Sequence, residues 1–277
     1  MFMLRLAALP LLALVTALAQ AQPRIDPVPG GIVKVSVAPA DEARPQVFYG
    51  ERRTLVLGSP EGWQALVGIP IDTSPGDQSL RVRHENGQET TATFTVAAKT
   101  YPEQHLSVKD PNMVEPDAPT LARIESEQRL QDEAKIRWRD LAETDTELLA
   151  PSSGRLSSRF GLRRLINGQP RAPHRGLDIA VPTGTPVRAP NAGKISLVGD
   201  YFFNGKTVFI DHGQGLISMI CHLSQTDVAE GDTVRPGQRL GASGSTGRAT
   251  GPHVHWTVFL NGTAVDPELF LPGPIAR

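Results

Sequence analysis

Short apolar runs, cut at close intervals by glycine and proline, constrain this chain more than any other feature. The 277 residues hold 26 Gly and 24 Pro, and most runs between them are too short for a helix of ordinary length. Ile32 to Val37, Thr54 to Leu57, Trp63 to Ile69, Leu80 to Arg83 and Thr91 to Val96 read as strands in the first third. Lys194 to Val198, Thr207 to Asp211, Leu216 to His222 and His253 to Leu260 do so in the last. Asn86-Gly87 and Asn261-Gly262 are hairpin turns by chemistry, since both residue types tolerate positive φ. The expectation is a mainly β chain: an immunoglobulin-like β-sandwich over 22–98, then an antiparallel β domain over 150–277.

Two segments depart from this texture. Arg5 followed by the apolar run Leu6 to Ala19, with small residues at Ala17, Ala19 and Ala21, reads as a signal peptide over 1–21. The run falls short of a comfortable bilayer span, so cleavage fits better than anchoring. No stable membrane insertion is expected afterwards, and the mature chain is expected to be periplasmic or secreted. Residues 99–149 read as a linker carrying a helix from 120 to about 148, capped by Asp117 or Thr120. Leu130, Ala134, Trp138 and Leu141 would form its buried stripe, and Glu125/Arg129 and Glu133/Arg137 its outer pairs. A packed connector is the preferred reading of that helix over a strut across a functional site. A formal charge of −1 gives no broad attraction to nucleic acid.

The chemistry sits in the last domain, which holds five of seven histidines. A catalytic zinc takes three protein ligands and keeps one position open. In a strand, His253 and His255 point to one face, opposite Val254, Trp256 and Val258. His174 and Asp178 are four apart in a Pro/Gly-rich segment that excludes a helix, so a turn into a strand must join them. His222 ends an apolar strand, and regular alternation would send Cys221 to the other face, which disfavours a Cys–His nucleophile. The lone cysteine also rules out an internal disulfide and a four-cysteine zinc site. Gly241 to Gly247 lacks the Lys-Ser/Thr of a phosphate loop and reads as a tight loop that lets backbone come close. His212 reads as structural. Tyr201, Phe202 and Phe203 fit either a groove wall or a packed hairpin tip.

Four segments together resemble the lysostaphin/LytM-type zinc endopeptidases. They are Ser158-Arg159-Phe160-Gly161-Leu162-Arg163, His174-Arg175-Gly176-Leu177-Asp178, Cys221-His222-Leu223-Ser224, and Gly244 to Gly247 running on through Thr250-Gly251-Pro252-His253-Val254-His255. The resemblance implies one zinc per chain held by His174, Asp178 and His255, with His222 and His253 as non-ligand catalytic histidines. It implies water activated by zinc attacking an amide of peptidoglycan cross-links, with either histidine as the base, in a monomeric enzyme. Ile220 stands where the family often has Tyr, and Thr257 where it often has an acidic residue. The alternative is a non-enzymatic or latent LytM-like regulator of cell-wall hydrolases, with Asn112 or His105 as candidate blocking groups.

Overall fold

A computed structural model describes residues 22–275; the expected signal segment 1–21 lies outside the described residues. The chain is mainly β, with one α-helix among the described residues.

Two antiparallel sheets form the N-terminal part. One runs Ile32–Ala38, Gly62–Gly68, Leu55–Ser59 in spatial order; the other runs Arg52–Arg53, Gln46–Tyr49, Gly76–Arg83, Glu89–Val96. Val33, Val56 and Val67 from the first meet Val47, Val82 and Phe94 from the second in one apolar core. Their immediate neighbours Ile32, Leu55 and Leu66 are also fully buried, but in a different core, shared with the C-terminal part. Successive strand residues project to opposite faces. The three-stranded sheet is therefore covered on both sides, which is why its strands read as continuous apolar runs rather than alternating ones.

The C-terminal part is a large antiparallel sheet. Its main path is Thr233–Val234, Gly193–Tyr201, Gly205–Gly213, Leu216–Thr226, His253–Leu260, Leu177–Ala180, Arg155–Ser158. Val254, Trp256 and Val258 are fully buried, as the alternation around the two histidines requires. Asn261 (φ 44°) and Gly262 (φ 77°) form the turn into Thr263–Val265, both in the left-handed region that this residue pair favours.

The helix is shorter than its sequence pattern. It spans Ala118–Lys135, with the Asp117 side chain accepting from the Thr120 amide. From 136 the backbone turns to tertiary partners instead. The Arg139 carbonyl accepts from Gln214, Leu148 donates to Phe270 and Leu149 to Pro190. Trp138 lies under the Arg53 guanidinium at 4.4 Å, and Leu141 packs on Gly213. Residues Thr144-Asp145-Thr146 are poor helix formers, so little opposes this exchange. The expected stripe is therefore not one helix face; Leu130 is exposed. Neither expected outer ion pair is present among the described residues, and Arg137 instead approaches Glu230. The expected linker is also stitched down. Glu103–Leu106 forms a parallel strand beside Arg163–Ile166.

Buried polar contacts fasten the two parts. Asn261 Oδ1 accepts from the Gly68 amide at 2.6 Å, and its Nδ2 donates to the Gly68 carbonyl at 3.1 Å. The Val56 amide donates to Gln214 Oε1 at 3.2 Å, and the Asp266 amide to the Gly30 carbonyl at 2.9 Å. Asn261→Ala strips both partners from a buried peptide group and puts an alanine at positive φ. A loss of about 1–3 kcal/mol is expected, from unsatisfied buried groups. It should appear as a lower urea midpoint; an unchanged midpoint would remove Asn261 from the docking account.

Candidate metal and active site

Three side chains converge on one carboxylate oxygen. His174 Nε2 lies 3.1 Å from Asp178 Oδ1 and 3.1 Å from His255 Nδ1; His255 Nδ1 lies 2.8 Å from the same Asp178 oxygen. Asp178 and His255 are direct cross-strand partners, so their side chains leave the sheet on one face. His174 is fixed by its own backbone: its carbonyl accepts from Gly161 and its amide donates to Leu162. Gly176 makes the turn between them possible. A Cβ there would stand 2.4 Å from the Trp256 carbonyl oxygen and 2.8 Å from the His255 ring.

These donor atoms suit a cation. His174 Nδ1 donates to the Arg159 carbonyl at 2.7 Å, which leaves Nε2 of the neutral ring as a bare lone pair. Burial pushes His255 down to about 4, so its ring is neutral near pH 7. Burial alone would raise the Asp178 carboxyl, but its close contacts with the His174 and His255 rings outweigh this and hold it well below the usual range. With His174 in its neutral form, at most one proton, that of His255, is left for the three facing acceptor atoms. These atoms all lie within 4.8 Å of one another, as ligands of a single ion must.

The sequence reading missed the groups behind this triad. Arg164 donates to the other Asp178 oxygen, Oδ2, at 2.9 Å. Gln104, from the segment read as linker, meets both Arg164 Nε (3.2 Å) and Ser158 Oγ (3.1 Å). Ser158 in turn lies 3.1 Å from His174 Nδ1. Ser158 stood in a recognised segment without a role; Arg164 falls one residue beyond it, and no spacing rule singles it out.

His222 and His253 face each other beside the triad, ring centroids 4.7 Å apart. His222 Nδ1 donates to the Thr246 carbonyl at 2.7 Å and His253 Nδ1 to the Gly251 carbonyl at 2.8 Å. In its neutral form, each ring therefore keeps a free Nε2 lone pair. His253 Nε2 is 3.7 Å from Asp178 Oδ1. Burial, with His255 and His253 adding to it, pushes His222 down to about 3. The glycine-rich loop thus orients His222 through Thr246. Gly205 admits that loop, since a Cβ there would stand 2.2 Å from Thr246 Oγ1.

Regular alternation fails at this point. Cys221 is the cross-strand partner of His255 and so belongs to the same face. His222 has φ 62° within a strand that continues to Thr226, and this kink brings its ring within 6.0 Å of the His255 ring. The two neighbours are therefore not on opposite faces. Cys221 is fully buried, and burial pushes its thiol up to about 12, so no thiolate is available.

The remaining candidates fall elsewhere. His212 is buried, with Nδ1 donating to the Ala192 carbonyl and Nε2 against Ser218 Oγ at 2.9 Å; Trp256 Nε1 donates to the same hydroxyl. Asn112 is tied locally to Thr120 and Asp117, and His105 is exposed beside Glu103, so neither reaches the triad. Tyr201 is buried, while Phe203 lines a cavity of about 920 Å³ that extends to His255. The helix walls the same cavity through Leu121, Ile124 and Gln128. A second cavity of about 340 Å³ holds Asp178, His222 and His253.

Comparison with known proteins places this arrangement. Residues 172–267 match Peptidase family M23, and residues 26–99 match Peptidase family M23 N-terminal domain. A crystal structure from Pseudomonas aeruginosa described as a peptidase M23 is 44% identical, with TM-score 0.74, over 88% of this chain and 95% of that one. The chain belongs to peptidase family M23. The M23 match begins two residues before His174 and ends after His255, so it contains all five residues of the site. Among curated M23 relatives, Peptidoglycan DD-endopeptidase ShyA of Vibrio cholerae is 41% identical over 116 residues. DD-carboxypeptidase/endopeptidase Mpg of Neisseria meningitidis is 43% identical over 121. Those matches cover 42% and 43% of this chain but only 27% and 28% of the relatives, about a quarter of their length.

The buried rings give the metal-free protein a defined acid response. Below about pH 6.5 an unfolded histidine takes up a proton. The native chain refuses it until about 4 at His255 and about 3 at His222, and burial lowers His212 as well. The unfolded state then binds more protons, so stability falls as pH drops through this window. The thermal midpoint of chelator-treated protein is expected to decline steadily from about pH 6.5 to about pH 4. A midpoint flat across that range would contradict the burial of neutral rings.

Proposed function

We propose that the chain is a zinc endopeptidase that hydrolyses peptide cross-links of peptidoglycan outside the cytoplasm. The observation that carries this reading is the convergence of His174, Asp178 and His255 on one point, in a chain of peptidase family M23. The activities for which ShyA and Mpg are named support the substrate class. The expected signal segment supports export, with the protein working as a monomer. The same reading treats 22–98 as an accessory β module, 99–149 as its connection and 150–277 as the peptidase domain.

His174, Asp178 and His255 would hold one zinc and leave a coordination position open. Zinc bound there supplies Lewis acidity, polarising a carbonyl oxygen and making water acidic enough to ionise near neutral pH. Arg164 holds Asp178 Oδ2, so Oδ1 is the oxygen presented to the metal. The Nε2 atoms of His222 and His253, which border the triad, would serve as proton acceptors there. Once protonated, the same atoms can donate to a developing oxyanion or return the proton to the leaving amine. Their backbone acceptors, Thr246 and Gly251, fix the tautomer that this requires. A non-enzymatic activator is the weaker alternative, because the ligand and histidine set is complete.

Zinc analysis and hydrolysis of cross-linked muropeptides test this together. The wild type should bind one zinc per chain. His174→Ala and Asp178→Ala should lose both zinc and activity. His222→Ala and His253→Ala should keep zinc while kcat falls roughly 10²- to 10⁴-fold, the range of a lost acid–base group. A fully zinc-loaded wild type that cleaves no cross-linked muropeptide would end the peptidase reading.

A further inference from the structure

Next to the triad, the larger cavity contains cations that no carboxylate neutralises among the described residues. Arg171, Arg248 and Arg164 all line it. Arg164 is matched to Asp178, but neither Arg171 nor Arg248 has a carboxylate within ion-pair distance among the described residues. The cavity's own carboxylates, Asp72 and Asp132, do not reach them, and Asp132 is paired with Lys135 at 2.8 Å. Glu115, nearby on the connecting segment, accepts from Gln169 instead. What the two arginines do touch is peptide backbone. Arg171 Nη2 donates to the Val114 carbonyl at 3.0 Å and also to Gln169 Oε1. Arg248 Nη1 donates to the Met113 carbonyl at 3.2 Å, and its guanidinium lies on the Phe203 ring at 4.3 Å. Burial, with Arg164 and Arg171 close by, lowers the Arg248 guanidinium to about 10.

Partly desolvated guanidinium groups facing one another are costly unless an anion joins them. A carbonyl offers only a partial charge, whereas a carboxylate matches the guanidinium fork with two charged oxygens. We propose that Arg171 and Arg248 form a carboxylate-binding subsite beside the metal position, in which the Met113 and Val114 carbonyls now stand as internal substitutes. The substrate is then an anionic peptide, with a free carboxylate on the residue that lies toward Arg248 from the bond cleaved. The 111–116 turn must give way for it to enter. This rests on the peptidase reading and narrows it to a substrate class.

The test uses the zinc-loaded full chain and two muropeptides, identical except that one carries free carboxylates near the cross-link and the other carries primary amides. The acid form should be cleaved with kcat/KM roughly 10- to 100-fold higher, the scale of a charged hydrogen bond. Arg171→Gln and Arg248→Gln should bring the acid-to-amide ratio of kcat/KM toward one, whatever common factor the loosened 111–116 turn applies to both peptides. The amide rate also reports that each variant is folded. If the arginines only pin the 111–116 turn, both peptides change by the same factor, and the proposal is overturned. Equilibrium binding of the same peptides to the wild type, measured by calorimetry on zinc-free protein, separates the two readings. Tighter binding of the acid form without any cleavage would retain the subsite and remove the peptidase reading. Equal affinity for both forms would overturn the subsite even if both were cleaved.

Discussion

The pairing of Asp178 with His255 across two antiparallel strands is the contact on which the rest of the site depends. Strand register decides which side chains share a face, and a slip of one residue would send every one of them to the other face. Here the register is held by a deep apolar stripe. Leu177 opposes Trp256, and Ile179 opposes Val254, all fully buried. The core thus fixes the ligands from behind, and the turn at Gly176 has only to deliver His174 to a position already defined.

A second regularity concerns tautomers. His174, His222 and His253 each give their Nδ1 proton to a backbone carbonyl, of Arg159, Thr246 and Gly251 respectively. Main-chain carbonyls cannot donate, so these bonds have only one sense. In the neutral form, all three rings therefore take the tautomer with Nε2 unprotonated. One of these atoms joins the triad, and the other two border it. The candidate ligand His174 and the proposed proton acceptor His253 are consequently prepared by the same device, and they differ in distance from Asp178 Oδ1: 3.1 Å for His174 and 3.7 Å for His253.

What was legible in the sequence follows from the range of the interactions involved. Alternation around Val254, Trp256 and Val258 placed His253 and His255 on one face, because that rule needs only neighbouring residues. The same rule failed at Cys221 and His222, where φ turns positive in mid-strand to meet a carbonyl from a loop more than twenty residues away. The helix pattern failed beyond Lys135 for a similar reason. Trp138, Leu141 and Leu148 are apolar at helical spacing, yet each is claimed by a separate tertiary surface. Gln104 and Arg164 were invisible because their roles depend on a parallel strand pair formed by segments sixty residues apart.

That parallel pair also changes the meaning of the connecting segment. Residues 99–116 have the composition of a linker, and composition alone predicts a chain that only sets a distance. In the structure their backbone extends the Arg163–Ile166 strand, and their carbonyls take up the donors of Arg171 and Arg248. Gln104 braces Arg164 behind Asp178, while Val114 lines the cavity that extends to His255 and the Met113 carbonyl accepts from Arg248. One stretch of chain therefore supports the ligand set from one side and fills the approach from the other. The two contacts differ in kind. The first is a strand register that would be lost only with the sheet; the second is two hydrogen bonds from cations to neutral carbonyls, which a charged competitor can replace. The site can accordingly keep its metal geometry while the turn in front of it exchanges for a ligand, since nothing that orients Asp178 passes through residues 111–116.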